Sequence, residues 1–188
     1  MADVRPLVIV VGGIPGAGKT TFARRLADSL HVPLLVRDEI KEGMHVTVGS
    51  EDPAEVRRFA AAAFDAFWSA AALLVGAGAS LAIEAAFHRD HATAELARLA
   101  ETADVRLVWC VVDPEVALAR YRARAPIRHP AHADALQAER MAHPAFDRGT
   151  YDPPVGPWPL VLVDTSAREP VPSIAELART LRDRPGRP

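Results

Sequence analysis

The chain has 188 residues and a formal net charge of −2 at pH 7, and this length suits one α/β domain with a substantial core. We therefore expect residues 1–188 to form a single domain. The charge argues against a nucleic-acid partner. The single cysteine, Cys110, excludes a disulfide within the chain, which fits a protein of the reducing cytoplasm.

Apolar runs alternate with helical patterns along the chain. Leu7–Val11 is fully apolar and branched, which is typical of a central parallel strand buried on both faces. Further strands are predicted at Pro33–Val36, Ser80–Ile83, Val105–Val112 and Leu160–Val163. Helices are predicted at Thr20–Leu30, from Pro53 to about Val75, at His91–Thr102, from Pro114 onward, at Asp134–Met141 and at Ser173–Leu181, whereas Arg37–Met44 begins a helix or a loop. This alternation predicts a parallel sheet covered on both sides, with ligands bound at the carboxyl ends of its strands.

The uncharged stretch Ala66–Ile83 approaches the length of a membrane span. Gly76 and Gly78 interrupt it, and Glu84 follows at once. A helix end, a glycine turn and a short strand explain the stretch better. The N-terminal residues also lack the basic and apolar regions of a signal peptide. We therefore expect no membrane partner and a cytoplasmic location.

A phosphate-binding motif follows the first strand. The segment Gly13-Ile14-Pro15-Gly16-Ala17-Gly18-Lys19-Thr20, with Thr21 after it, fits GxxxxGK[ST] between a strand and a helix. Glycines let the backbone N–H groups turn toward phosphate oxygens, and the helix start adds its dipole. Lys19 is expected to bind the β- and γ-phosphates of ATP, and the Thr20 hydroxyl to ligate Mg²⁺.

Arg37-Asp38-Glu39-Ile40-Lys41-Glu42 directly follows the second strand. With the phosphate-binding motif, this segment resembles the small P-loop kinases with an AAA-like ATP site, a group that includes polynucleotide kinase domains and chloramphenicol phosphotransferase. The resemblance implies a three-layer P-loop NTPase fold with a parallel five-stranded sheet in the order 2-3-1-4-5. It also implies a helical lid between strands 4 and 5, at about residues 120–157.

Asp38 matches the aspartate that takes the proton from the acceptor hydroxyl in those relatives. A carboxylate one strand away from the phosphate loop can reach the region of the γ-phosphate, where a general base activates an attacking hydroxyl. The alternative is that Asp38 caps the helix that follows it.

Glu84 ends the third strand, at the place where P-loop proteins carry an acidic residue near Mg²⁺. The usual residue there is aspartate. The longer glutamate side chain therefore leaves two other roles open: it could orient a substrate hydroxyl, or it could be purely structural.

The resemblance assigns the lid arginines to the transferring phosphoryl group, for which the planar guanidinium is suited. Arg120 and Arg124 lie four residues apart and are predicted to share a helix face toward the nucleotide, unless this is a solvated basic face. Arg128 and His129 are predicted to contact the substrate from the lid, and His88 to line the acceptor pocket. Thr165, after the last strand, is predicted to lie near the adenine or to form a simple turn.

The function predicted from these residues is ATP-dependent transfer of the γ-phosphate to a hydroxyl of a small molecule such as an antibiotic, a nucleoside or another metabolite. The enzyme would be a monomer or a homodimer. The chain has no basic track for a nucleic-acid strand outside the lid, which disfavours the alternative of a polynucleotide 5′-hydroxyl kinase. A nucleotide-dependent regulatory ATPase is the other alternative, and it would need an arginine supplied by a partner.

Overall fold

The structure, a computed structural model, describes residues 5–48, 53–127, 129, 132 and 134–183. The strands are β1 (Leu7–Gly13), β2 (Leu34–Val36), β3 (Leu81–Glu84), β4 (Asp104–Val111) and β5 (Leu160–Asp164). The helices are α1 (Lys19–Leu30), α2 (Arg37–Val48), α3 (Pro53–Gly76), α4 (Arg89–Leu99), α5 (Pro114–Arg124), α6 (Asp134–Ala142) and α7 (Ile174–Arg182). Each predicted strand is present, and the segment that begins at Arg37 is a helix.

The described strands form a parallel sheet in the order β2-β3-β1-β4-β5, which confirms the predicted order and the P-loop fold. Within it β1 pairs with β3 on one side and with β4 on the other, so that Val11 lies opposite both Glu84 and Val108. On the far side of β3, Val36 at the end of β2 pairs with Glu84. The parallel arrangement therefore brings the ends of β1, β2 and β3 together at one edge.

The side chains of β1 alternate between two hydrophobic layers. Val8 and Val10 are 0% exposed and pack with residues of α3 and α4, while Ile9 and Val11, also 0% exposed, pack with α1 and α7. Full burial of such a side chain stabilises the fold by about 1.5–3 kcal/mol. The uninterrupted apolar sequence of β1 is thus the consequence of a strand covered on both faces.

Helix α3 carries the stretch whose length resembles a membrane span, and residues Arg58–Gly76 meet that criterion of length and composition. Ala63, Phe67, Ala71 and Val75 recur at helical spacing, and all are buried against the sheet. This pattern is that of a core helix. The chain then turns through Gly78, with a φ of 81°, into β3.

Helices α5 and α6 form a smaller layer between β4 and β5. The Asp113 carboxylate caps α5 by accepting hydrogen bonds from the backbone N–H groups of Glu115 and Val116. Ala117 and Tyr121 of α5 are buried against Met141 of α6. Most of this layer lies within the predicted lid of about residues 120–157.

A buried arginine in β4 fastens the last helix to the sheet. Arg106 is 5% exposed, and its Nη1 donates hydrogen bonds to the carbonyl oxygens of Leu181 at 3.0 Å and Asp183 at 3.2 Å. Its Nη2 forms a 2.9 Å ion pair with Asp104. The guanidinium thus binds the carbonyl end of α7, where the helix dipole favours positive charge.

We expect Arg106→Ala to lower the free energy of unfolding by about 3 kcal/mol, because it leaves buried carbonyls and a carboxylate without their partner. Arg98→Ala is the matched control, since Arg98 is an exposed arginine paired with Glu95, and it should cost about 0.5 kcal/mol or less. Urea denaturation measures both. Equal stability of the two variants would contradict the role assigned to Arg106.

Candidate functional site

The phosphate loop connects β1 to α1. Gly16 has a φ of 84°, and a Cβ at this position would lie 2.3 Å from the carbonyl oxygen of Ala117, so only glycine fits. Gly18, with a φ of 76°, precedes α1, and no described side chain caps this helix start. The first N–H groups of α1 are therefore available to an anion.

Lys19 is folded over this loop and is 7% exposed. Its Nζ donates a 2.9 Å hydrogen bond to the carbonyl oxygen of Ile14, which holds the ammonium group above the loop. Burial lowers the pKa of Lys19, and the carboxylates of Glu84 and Asp38 act in the opposite direction. The ammonium group that was predicted to bind the phosphates of ATP thus lies near two carboxylates.

Strand β4 supports the loop from below. A Cβ on Gly12 would lie 2.0 Å from the Trp109 ring, so the residue before the motif must also be glycine. Cys110 is 2% exposed, and burial raises the pKa of its thiol to about 12. The thiol therefore stays protonated and serves packing, as predicted for a buried strand residue.

The structure brings Thr20 and Glu84 together. The Thr20 hydroxyl donates a 2.9 Å hydrogen bond to Oε2 of Glu84, which is 4% exposed. These are hard oxygen ligands of the kind that Mg²⁺ prefers, and they lie beside Lys19. The pair fits a magnesium ion, and the pairing of β1 with β3 brings it about.

Asp38 lies in the first turn of α2, which begins at Arg37. The Arg37 guanidinium donates a 3.2 Å hydrogen bond to Oδ1 of Asp38 and a 2.8 Å hydrogen bond to the carbonyl oxygen of Ala60. It also lies 4.2 Å from the centre of the Phe64 ring. With its side chain 40% exposed, Asp38 is held at the surface of the cavity and is not sealed in the core.

These groups open into one cavity of about 990 Å³ at the carboxyl edge of the sheet. Its chemically active lining residues include Lys19, Thr20, Arg37, Asp38, Lys41, Glu42, Phe64, Asp65, Glu84, His88, His91, Tyr121, Arg124, His132, Gln137, Arg140 and Tyr151. The lining therefore comes from the phosphate loop, the end of β3, helices α2, α3 and α4, and the segment between β4 and β5.

The two lid arginines do not share a pocket. Arg124 lines the main cavity, with its guanidinium 4.1 Å from the centre of the Tyr121 ring. Arg120 lines a second pocket of about 260 Å³ and donates hydrogen bonds to the carbonyl oxygens of Thr165 at 2.8 Å and Ser166 at 2.6 Å. The two residues lie one turn apart on α5 and start from the same helix face, but their guanidinium groups reach different pockets.

The second pocket lies where the sequence predicted the adenine. The Thr165 hydroxyl donates hydrogen bonds to the carbonyl oxygens of Ala17 at 2.7 Å and Val111 at 3.0 Å, which ties the turn after β5 to the phosphate loop. Gly18 and Thr21 line the same pocket. Gly18 and Thr21 also line the main cavity, so the two pockets adjoin at the phosphate loop.

The predicted histidines are placed differently from one another. His88 lines the cavity, and its ring lies 5.3 Å from that of Tyr151 in an edge-on contact. His129 contacts the ring of His45 and is not among the described lining residues, whereas His132 lines the cavity and is hydrogen-bonded to Glu42 at 2.8 Å. Arg128 lies outside the described residues.

Several lining residues were not predicted from the sequence, namely Lys41, Asp65, His91, Gln137, Arg140 and Tyr151. The sequence does offer a signal for Lys41, because it lies one helical turn after Asp38. The structure leaves it 9% exposed. The others belong to α3, α4 and the lid, whose relative placement only the fold decides. From α3, Ala60, Ala61 and Phe64 also line the cavity, whereas Phe67 and Trp68 belong to the core.

Comparisons with known proteins agree with this geometry. The model of the AAA domain family matches residues 8–145, while no curated protein matches the chain. A candidate kinase of known structure from Chloroflexus aurantiacus J-10-fl is 30% identical, with a TM-score of 0.81 over 95% of this chain and 97% of that chain.

Two more distant structures share the fold. A sugar kinase from Janibacter sp. HTCC2649 is 19% identical, with a TM-score of 0.60 over 95% of this chain and 94% of that chain. A gluconokinase from Sinorhizobium meliloti 1021 is 17% identical, with a TM-score of 0.51 over 95% of this chain and 90% of that chain. The chain therefore belongs to the AAA domain family, and it is a small P-loop kinase.

Proposed function

We propose that the protein transfers the γ-phosphoryl group of ATP to a hydroxyl of a small molecule, with Asp38 as the general base. The observation that carries the proposal is that Asp38 lines the same cavity as Lys19, Glu84 and Arg124. A carboxylate beside the phosphate-binding groups, open to a cavity, suits an acceptor that attacks in line with the γ-phosphate.

The phosphate end of the reaction rests on Lys19 and the start of α1. The ammonium group and the uncapped N–H groups hold the triphosphate, and the Thr20 hydroxyl and the Glu84 carboxylate would hold Mg²⁺. When bound, that ion neutralises charge on the β- and γ-phosphates. The Arg124 guanidinium, within the same cavity, stabilises the charge of the transferring phosphoryl group.

The acceptor end rests on Asp38 and its neighbour. The Arg37 guanidinium donates a hydrogen bond to the carboxylate and orients it, because Arg37 is itself anchored on Ala60 and Phe64. The ionised carboxylate accepts the proton of the acceptor hydroxyl as the oxygen attacks. The position of Asp38 inside the first turn of α2, where α2 begins at Arg37, disfavours the alternative in which it serves as the N-cap.

Two observations support a small acceptor and an enzyme. The cavity is lined from several elements of the fold, which suits a compact molecule better than a strand of nucleic acid. The fold neighbours include a sugar kinase and a gluconokinase, which agree with a small hydroxylated acceptor. Arg124 lies within the cavity of its own chain, so that an arginine from a regulatory partner is unnecessary. We also propose a cytoplasmic location and a monomeric or homodimeric state.

We expect Lys19→Ala to weaken ATP binding by about 10- to 100-fold, the loss of one or two charge-assisted hydrogen bonds. The folded protein should keep its stability within about 1 kcal/mol, because burial already disfavours the charged form of Lys19. Calorimetric titration with ATP and urea denaturation measure the two quantities. Unchanged affinity in a folded variant would reject the ATP site.

We expect Asp38→Asn to slow phosphoryl transfer by about 10²–10⁴-fold, because the amide cannot accept the proton. Nucleotide affinity should stay near normal. Single-turnover transfer from ATP and titration with nucleotide on the same sample measure both. Glu39→Gln is the control, since Glu39 is a carboxylate of the same helical turn that is paired with Arg24. If the two variants retain equal transfer rates, the base lies elsewhere.

The separation of the two lid arginines predicts different defects. Arg124→Ala should slow transfer by about 10²-fold or more while nucleotide affinity changes little, because this guanidinium acts on the developing charge. Arg120→Ala should weaken nucleotide binding by about tenfold, because it loosens the turn at Thr165 that borders the second pocket. The measurements are the phosphoryl-transfer rate and the nucleotide affinity of both variants. Identical defects in the two variants would contradict separate roles for Arg120 and Arg124.

A further inference from the structure

The main cavity extends beyond Asp38 to a region between the start of α4 and the lid. His88 and His91 line it from α4 and the residue before it, and Gln137, Arg140 and Tyr151 line it from α6 and the 3₁₀ turn that follows. The proposed triphosphate site already has Lys19, the start of α1 and Arg124, so we assign these side chains to the acceptor.

Arg140 is a cation of this region whose guanidinium group has no partner among the described residues. Within the described part of the chain, no hydrogen bond or ion pair engages its guanidinium. The other cavity arginines are engaged, since Arg24 is paired with Glu39, Arg37 is paired with Asp38, and Arg124 lies over the Tyr121 ring. The fork of Arg140 therefore presents its donors to whatever enters the cavity.

Arg140 lies among other basic groups. Burial lowers the pKa of His88, and His91, Arg37 and Arg140 lower it further, so these three groups all act on the same imidazole. Four of the cavity carboxylates are engaged: Glu84 accepts from Thr20, Asp38 from Arg37, Glu39 is paired with Arg24, and Glu42 is bound to His132. The Arg140 guanidinium is thus a cation without an acidic partner among the described residues, and an anion in the cavity would supply that partner.

Tyr151 gives this region a fixed wall. Its carbonyl oxygen accepts a 2.9 Å hydrogen bond from Nε1 of Trp109, and its ring stacks on Phe146 at 5.9 Å. Its hydroxyl is hydrogen-bonded to Gln137, and burial raises its pKa, so the phenol stays protonated. Tyr151 and Gln137 can bind hydroxyl groups, as can the carboxylate of Asp65 on α3.

We propose that Arg140, supported by His88 and His91, binds an anionic group of the acceptor, a carboxylate or a phosphate, while Asp38 takes the proton from a hydroxyl of the same molecule. The acceptor class is therefore a small hydroxylated acid or phosphate ester. The inference rests on the proposed kinase function and adds that the acceptor carries an anionic group. Arg140 serves substrate specificity, because its bidentate fork selects acceptors that carry the anion.

The test uses the full chain with its nucleotide site filled by Mg²⁺ and AMP-PNP, an ATP analogue whose γ-phosphoryl group is not transferred. Inorganic phosphate and acetate are then titrated by calorimetry as probes of the subsite. We expect at least one of these two anions to bind. Arg140→Gln should weaken the affinity for that anion about tenfold or more. Arg140→Lys should retain part of the affinity. Arg122→Gln, an exposed arginine outside the cavity lining, should bind the anion as the wild type does.

The outcomes separate the two proposals. Failure of AMP-PNP to bind would reject the kinase function. Normal AMP-PNP binding without anion binding, or with equal anion affinity in the wild type and Arg140→Gln, would overturn the subsite. Tighter binding of acetate assigns a carboxylate, and tighter binding of phosphate assigns a phosphate ester. Displacement of the bound anion by a 5′-hydroxyl oligonucleotide, and not by small hydroxylated anions, would overturn the assignment of a small acceptor.

Discussion

The site depends on the pairing of β1 with β3. This register sets Glu84 opposite Val11, a buried position two residues before the phosphate loop, and the pairing of β3 with β2 sets Val36 beside Glu84. Three groups that are far apart in the sequence therefore meet at one edge of the sheet: the loop that holds Lys19, the Glu84 carboxylate and the start of α2 with Asp38. A slip of one residue in β3 would turn Glu84 to the opposite face of the sheet.

The buried charges at this edge are tolerated because they compensate one another. Lys19 and Glu84 are each nearly fully buried, and burial of an isolated charge is costly. Each has an immediate polar partner, the carbonyl oxygen of Ile14 for Lys19 and the hydroxyl of Thr20 for Glu84. Both partners belong to the phosphate loop, so the loop conformation and the charge balance depend on each other. A bound triphosphate and its Mg²⁺ ion would add opposite charges to this preorganised arrangement of Lys19 and Glu84.

Helix α5 divides the nucleotide site into two compartments. Arg120 binds the carbonyl groups of the turn after β5, while Arg124 faces the main cavity beside Tyr121. The division follows from the position of α5 over the phosphate loop, where the carbonyl oxygen of Ala117 leaves space only for Gly16. The segment that follows α5 then wraps around the cavity, and Trp109 anchors its end through the carbonyl oxygen of Tyr151. The groups proposed to recognise the acceptor are thereby held on the same framework as the groups proposed to bind the nucleotide.

The sequence by itself determined the parallel sheet, its strand order through the resemblance, and the phosphate loop, because these features depend on local patterns: apolar runs of strand length, helical spacing, and glycines followed by Lys19 and Thr20. It also selected Asp38 and Glu84, since a residue directly after a strand of a parallel sheet has a predictable place. Only the tertiary structure decided three features: the different pockets that Arg120 and Arg124 reach, the presence of His132 and not His129 at the cavity, and the placement of Arg140 and His88 in one cavity lining. Those positions depend on how α5 and α6 pack over the sheet, and such packing arises from contacts between residues distant in the sequence, which no local pattern records.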